Sequence, residues 1–364
     1  MKDYLIEYNV ELETVGPLFV GSGLELNKKE YILNNNEILV MNIPKLFEYM
    51  KSKKLTDKFE AFFIDDTRKN LRSFLMDNGI KLSWIDTCIK YRLIQPDTYL
   101  EKGTTILEFM KDPYGLPYIP GSSIKGMLRT ILLTNELIKN NKGYVLNKKK
   151  IEEAIVRAKN NRNILKKEEK EIQTAAFNLL NRNEKKREDA VNDVLAGLIV
   201  SDSKPLDMKD MVLCNRIEYH VDGTEKKLNV LRECVKPNKK IYFKLTVDST
   251  ICSYTKEDII DAIECFNKIY NECFRTKFTR ISPGKDDSVY LGGGVGFASK
   301  TIIYPLFGYE RGLDMTVNIF TGTGVSEKHK HNMDKRKGVS PHILKVTKYQ
   351  GNLYHMGECR WKFV

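Results

Sequence analysis

The chain has 364 residues, 41% of them hydrophobic and 30% charged. That is globular composition, and it excludes a collagen-like, mucin-like or wholly disordered chain. At roughly 150 residues per domain the length fits about two domains, or one core with large insertions. Lys and Arg number 60 against 48 Asp and Glu, a net charge of +12, which favours a polyanionic partner, nucleic acid before any other.

From Met1 to Val15, Ile6, Tyr8, Val10 and Leu12 alternate with Glu7, Asn9, Glu11 and Glu13, which predicts a half-buried strand and not a cleavable signal. No apolar run reaches the roughly 18 residues of a membrane helix. Cys88, Cys214, Cys234, Cys252, Cys265, Cys273 and Cys359 form an odd set without a C-x-x-C pair. That argues against a disulfide framework or a zinc ribbon and for a reducing, cytoplasmic setting.

Gly16-Pro17-Leu18-Phe19-Val20-Gly21-Ser22-Gly23 reads as a turn and Gly-rich loop, followed by a strand around Tyr31, Ile32 and Leu33. Between Thr56 and Gly79, Phe59, Phe62, Phe63, Leu71, Phe74 and Leu75 recur at helical spacing, predicting one helix or two short ones. A further helix is expected from Ser122 or Ser123 as N-cap, with Ile124, Met127, Leu128, Ile131 and Leu132 as its apolar stripe, ending by Gly143. Residues 142–187 are rich in Lys, Arg and Glu with sparse apolar positions such as Ile155, Ile172 and Phe177, the pattern of a solvated helical insertion.

Beyond it, Ile217, Tyr219 and Val221 alternate with Glu218, His220 and Asp222, and Asp222-Gly223 marks a hairpin with a return strand over Leu228–Val235. Ile241, Phe243, Leu245 and Val247 predict another strand. A helix capped by Thr255 carries Ile259, Ile260, Ile263, Phe266, Tyr270 and Phe274, and Val289–Leu291 leads into a glycine cluster. The pattern is α+β, a sheet with helices packed on it. It divides into an N-terminal part of the core (1–141), a basic helical insertion (142–205) and a C-terminal α+β half (206–364).

Three segments carry chemistry. In Tyr118-Ile119-Pro120-Gly121-Ser122-Ser123-Ile124-Lys125-Gly126-Met127-Leu128-Arg129, a helix N-terminus offers unpaired, partly positive amides and the serine hydroxyls add donors. Lys125 and Arg129 at i, i+4 extend the positive face, so a phosphate would be held there. A well-capped helix whose cations face water has the same signature. Met127 stands where an ATPase loop needs Lys. Gly292, Gly293, Gly294 and Gly296, with Lys300 behind them, would let a phosphodiester strand approach backbone N–H groups. A purely structural turn is the alternative, and Phe297 in the place of the third glycine excludes a dinucleotide fingerprint. Gly21, Ser22 and Gly23 with Lys28 and Lys29 form a polar loop with paired cations, a pattern that by itself is commonly a solvent turn.

Together, these three segments resemble the RAMP superfamily of CRISPR systems. The closing Gly338-Val339-Ser340-Pro341-His342-Ile343-Leu344-Lys345 and Met356-Gly357-Glu358-Cys359 most resemble the fifth-subunit family of type III-A (Csm) effectors. The resemblance implies a modified ferredoxin-like, RNA-recognition-motif-like sheet with helical insertions and a second, degenerate α+β half. It further implies a grip on the backbone of CRISPR RNA near its 3′ end, a cap on the effector filament, and support of CRISPR RNA maturation and antiviral defence. The partners it implies are CRISPR RNA and the backbone and small Csm subunits, with host nucleases as candidates for recruitment and no membrane. On this reading Lys226 and Lys227, at the hairpin turn, belong to a thumb pressing on RNA.

Related family members cleave CRISPR RNA precursor with a histidine base, or target RNA through a loop aspartate. Here His220, His329, His331, His342 and His355 offer no pair with legible geometry, and the stretch from Gly23 to Glu30 holds Glu25 and Glu30 but no Asp. The expectation is a non-catalytic subunit without cofactor or metal; the alternative is a RAMP-type endoribonuclease processing CRISPR RNA precursor.

Overall fold

The computed structural model describes residues 3–65, 69–94, 105–325 and 329–364. The alternation of the first segment forms β1 (Leu5–Thr14), in which Val10 and Leu12 are fully buried while Ile6, near the strand's start, is 43% exposed. The expected Gly-rich loop is in part a strand, β2 (Gly21–Leu26), which pairs with a register shift between Gly21 and Glu25. Gly23 takes φ +86° inside the irregularity, so the glycines make a bulge and do not end the strand.

There follow β3 (Tyr31–Asn34), β4 (Glu37–Met41), α1 (Ile43–Ser52), α2 (Thr56–Ile64), α3 (Leu71–Asp77) and β5 (Ile89–Ile94). The order β3-β4-β5 makes a small sheet, and α2 and α3 are the two short helices that the aromatic spacing allowed. Phe59, Phe62, Phe74, Leu46 and Met50 fill a core of this lobe separate from the main one.

The remainder supplies β6 (Thr105–Phe109), α4 (Gly121–Lys139), α5 (Val145–Arg157), α6 (Lys166–Phe177), β7 (Leu198–Val200), β8 (Met211–His220), β9 (Glu225–Val235) and β10 (Lys240–Asp248). It continues with α7 (Lys256–Cys273), β11 (Ser288–Tyr290), α8 (Ile303–Gly322, interrupted at Gly308), β12 (Ile343–Tyr349), β13 (Asn352–His355) and β14 (Glu358–Phe363). One sheet has the order β11-β14-β1-β10-β7 with every neighbouring pair antiparallel. Its strands come from 1–141, 142–205 and 206–364 alike. The second has the order β13-β12-β8-β9-β6-β2, in which β6 and β9 run parallel. The result is mixed α+β.

The apolar stripe of α4 (Ile124, Met127, Leu128, Ile131, Leu132) is buried in the main core. α7 starts with the capping box of Thr255 and Asp258, and of its expected core positions only Ile260 turns outward, 36% exposed. α5 and α6 form the insertion, and their sparse apolar residues Ile151, Ile155, Ile172 and Phe177 reach the main core. β8 and β9 form the hairpin predicted from Asp222-Gly223. All seven cysteines are free thiols.

Candidate nucleic-acid interface

The three glycine and serine segments meet. Gly21, then Ser122, Ser123 and Gly126 of α4, then Gly292, Gly293 and Lys300 line one cavity of about 460 Å³. Backbone packing holds them there. Gly292 has φ +84°, and a Cβ on it would lie 2.1 Å from the Phe19 carbonyl oxygen. The Gly293 N–H donates to that same oxygen at 2.8 Å. The late glycine loop is thus stitched to the segment between β1 and β2. Its approach to Phe19 spends one of the N–H groups that a phosphate would need. Lys300 Nζ is exposed and donates to the Gly292 carbonyl at 3.3 Å. No atom lies within 4 Å of a Cβ built on Gly126, so this side of α4 is open.

The start of α4 differs from the expected serine cap. Pro120 is the N-cap, with no side-chain cap bond, and Ser122 and Ser123 lie in the first turn. Gly121 is required because a Cβ there would meet the Val200 carbonyl at 2.2 Å, and its N–H donates to Asp202 Oδ1 at 2.7 Å. A carboxylate therefore already answers part of the positive helix end.

Lys125 and Arg129 border the side of α4 that carries Ser122 but stay outside the cavity. At 100° per residue Arg129 falls about 20° and Lys125 about 60° from Ser122, on the side away from Gly126 and Ser123. Arg129 pairs with Asp193 at 2.6 Å, donates to Gln173 at 2.9 Å and lies 4.6 Å over the Phe177 ring. It fastens the insertion to α4. Burial holds the half-buried Lys125 ammonium below the usual lysine range.

The remaining candidates are dispersed. Ser22 Oγ donates to the Glu108 carbonyl at 3.3 Å within the sheet. Lys29 Nζ caps α2, donating to the carbonyls of Phe63 (3.1 Å) and Asp65 (2.6 Å); Lys28 belongs to the same lobe. Gly294 (φ +102°) and Gly296 (φ +90°) continue the loop, Gly294 against the Arg232 guanidinium. Lys226 and Lys227 are exposed at the start of β9, across from Glu218 and Ile217, and stand outside the cavity.

Sequence reasoning missed Arg232. It is 7% exposed, lies 4.9 Å over the Phe19 ring and donates to the Gly293 carbonyl at 3.3 Å, while its Nε is buried without an acceptor. Arg216 and Lys345 repel it, and desolvation makes its charged form costlier. Lys345 in turn pairs with the buried Glu218. This puts positive potential directly behind the glycine loop. The available signal is the alternation Arg216, Glu218, His220 on β8, which reads as a water-facing side; Glu218 is instead buried and pairs with Lys345, opposite it on β12.

Residues 11–277 match the RAMP superfamily, and the chain belongs to it. The Csm5 protein of the CRISPR system of Streptococcus thermophilus is 31% identical over 314 residues, covering 83% of this chain and 82% of its own. That of Mycobacterium tuberculosis H37Rv is 27% identical over 387 residues, covering 99% and 98%. Within the superfamily the chain is a member of the Csm5 family. Two solved structures share the fold at 17% identity. The crystal structure of T. onnurineus Csm5 covers 96% of this chain and 99% of its own with a TM-score of 0.60. A chain of the Csm–crRNA–target RNA ternary complex of a type III-A system covers 98% and 100% with a TM-score of 0.61.

Proposed function

We propose that the chain is a non-catalytic RNA-binding subunit of a type III-A CRISPR effector complex. In this reading it grips the 3′-proximal part of CRISPR RNA, caps the backbone filament and supports CRISPR RNA maturation and antiviral defence. The observation that carries the proposal is the convergence of Gly21, Ser122, Ser123, Gly126, Gly292, Gly293 and Lys300 on one cavity, in a chain of net charge +12. Glycine backbone, hydroxyls and an ammonium group suit a phosphodiester strand of any base sequence.

The antiparallel order β14-β1-β10-β7, with α4 and α7 as crossovers, supports a ferredoxin-like module. The second sheet is then the degenerate half, and the β8–β9 hairpin with Lys226 and Lys227 a thumb beside a neighbouring subunit. CRISPR RNA and the backbone and small Csm subunits are the partners of this reading. An endoribonuclease needs an accessible base. Against one, His331 and His342 are buried, and Glu30 is engaged with the Asn27 N–H at 2.9 Å.

The test is binding of unrelated single-stranded RNAs across a salt series, with CRISPR RNA precursor incubated in parallel with and without Mg²⁺. Affinity is expected to be similar across sequences, falling with a log-log slope of about −0.7 per phosphate neutralised, and the precursor to stay intact. Salt-independent affinity or cleavage of the precursor would overturn the proposal.

A further inference from the structure

Four of the five histidines gather at one place that the RNA reading does not use. His331 follows α8 and stacks on its Phe320 at 4.3 Å between ring centroids. Asp334 opens the short helical turn Asp334–Lys337, and His342 stands immediately before β12. All three are buried, Asp334 completely. Asp334 Oδ2 lies 2.9 Å from His331 Nδ1 and Oδ1 lies 2.5 Å from His342 Nδ1. One donor atom from each residue falls within 4.8 Å of the other two. The rings of His220 and His329 flank the group, 5.3 Å from His342 and 6.0 Å from His331.

The charge of this group needs an explanation. Among the described residues, the ion-pair partners of Asp334 are the two imidazoles alone, and Ser340 Oγ adds a neutral hydrogen bond at 2.7 Å. A carboxylate removed from water calls for a compensating cation. Two imidazole nitrogens and one carboxylate oxygen are the donor set of a zinc-class ion, and three protein donors leave a fourth position for water or a flanking imidazole. We propose that His331, Asp334 and His342 bind one divalent ion of the zinc class. The ion ties the end of α8, the turn at 334–337 and the entry to β12 into one unit. A metal-free triad with one protonated imidazole would use the same heavy atoms, so the experiment must separate the two.

The full chain, purified without chelator, is dialysed against Zn²⁺ and its metal content measured; a parallel sample is loaded with Co²⁺ and its visible spectrum recorded. The expected result is about one equivalent of zinc and a cobalt d–d band of a four-coordinate nitrogen–oxygen site. Asp334→Asn and His331→Ala should each lower occupancy at least tenfold with an unchanged circular dichroism spectrum. If these variants do not fold, the cobalt spectrum of the unaltered chain decides. Absence of the band, an intense thiolate band assigning the ion to cysteines, or full occupancy in both folded variants would overturn the proposal.

Discussion

A methyl group on Gly292 would lie 2.1 Å from the carbonyl oxygen of Phe19. The two residues come from opposite ends of the chain, and their approach joins two walls of the cavity. Gly292→Ala therefore meets both a backbone clash and a left-handed φ of +84°, and should cost about 3 kcal/mol or more in urea unfolding. Gly23→Ala is the comparison. Its φ is +86° but no atom lies within 4 Å, so only the backbone cost of about 1 to 2 kcal/mol remains. Equal losses at the two positions would show that the Phe19 contact does not hold the loop.

His355 lies between the rings of Tyr290 (5.0 Å) and Tyr270 (6.2 Å), and burial, helped by the nearby Arg275, pushes its pKa well below 6.5. Glu358 beside it is raised by burial, although Arg275 pulls it down. The folded chain keeps His355 neutral while the unfolded chain takes up a proton below about pH 6.5. The stability this gives is complete above that pH and is lost on acidification, at up to about 1.4 kcal/mol per pH unit. Glu358 works in the opposite sense, since its raised pKa favours the folded state at low pH and this is lost as pH rises. Urea midpoints of the chain and of His355→Gln at pH 7.5, 6.5 and 5.5 should converge as pH falls. Parallel curves would mean that His355 takes up its proton alike in the folded and unfolded chain.

Period-two and helical patterns made β1, β10, α7 and the β8–β9 hairpin legible, because each is decided by neighbours in sequence. β2 was not legible: its glycines look like a loop, and what makes them a strand is β6, which lies beyond the whole small lobe. The cavity was visible as three separate polar glycine or serine segments, but nothing local says that Phe19 brings them together. Arg129 misled for the same reason, since Asp193 and Phe177, which turn it into a fastening, lie far along the chain. Glu218 reads as outward because β8 alternates, but its partner Lys345 stands opposite it on β12, far along the chain. The four histidines met through that same distant strand and its approach.

The Tyr91 hydroxyl donates to the buried Glu233 carboxylate at 2.6 Å, and the Phe109 N–H donates to it at 3.0 Å. Lys111 pairs with the same group and with Glu108. This network joins β5 of the small lobe to β9 and β6 of the second sheet. Removing one member leaves a buried charge without its partner, so Glu233→Gln should cost about 3 kcal/mol or more. Tyr91→Phe removes one bond to a charged group, at about 1.5 to 3 kcal/mol. Hydrogen exchange in both variants should rise first in β3, β4 and β5. Uniform acceleration over the whole chain would mean that the network does not govern how the lobe is held.

Lys300 marks the cavity edge and Arg129 the adjoining flank of α4. Lys300 is exposed at the cavity edge with one long bond to the Gly292 carbonyl. Lys300→Ala should change stability by less than about 0.5 kcal/mol, weaken single-stranded RNA of any sequence, and reduce the salt slope by about 0.7, the contribution of one phosphate. Arg129→Ala loses a partly buried ion pair and a cation–π contact, and should cost about 1 to 3 kcal/mol while leaving the salt slope unchanged wherever the chain is folded. RNA affinities at several salt concentrations, read beside urea midpoints, check both halves. If Arg129→Ala folds and flattens the salt slope while Lys300→Ala does neither, RNA lies along the flank of α4 that faces Asp193, and the glycine-lined cavity is packing.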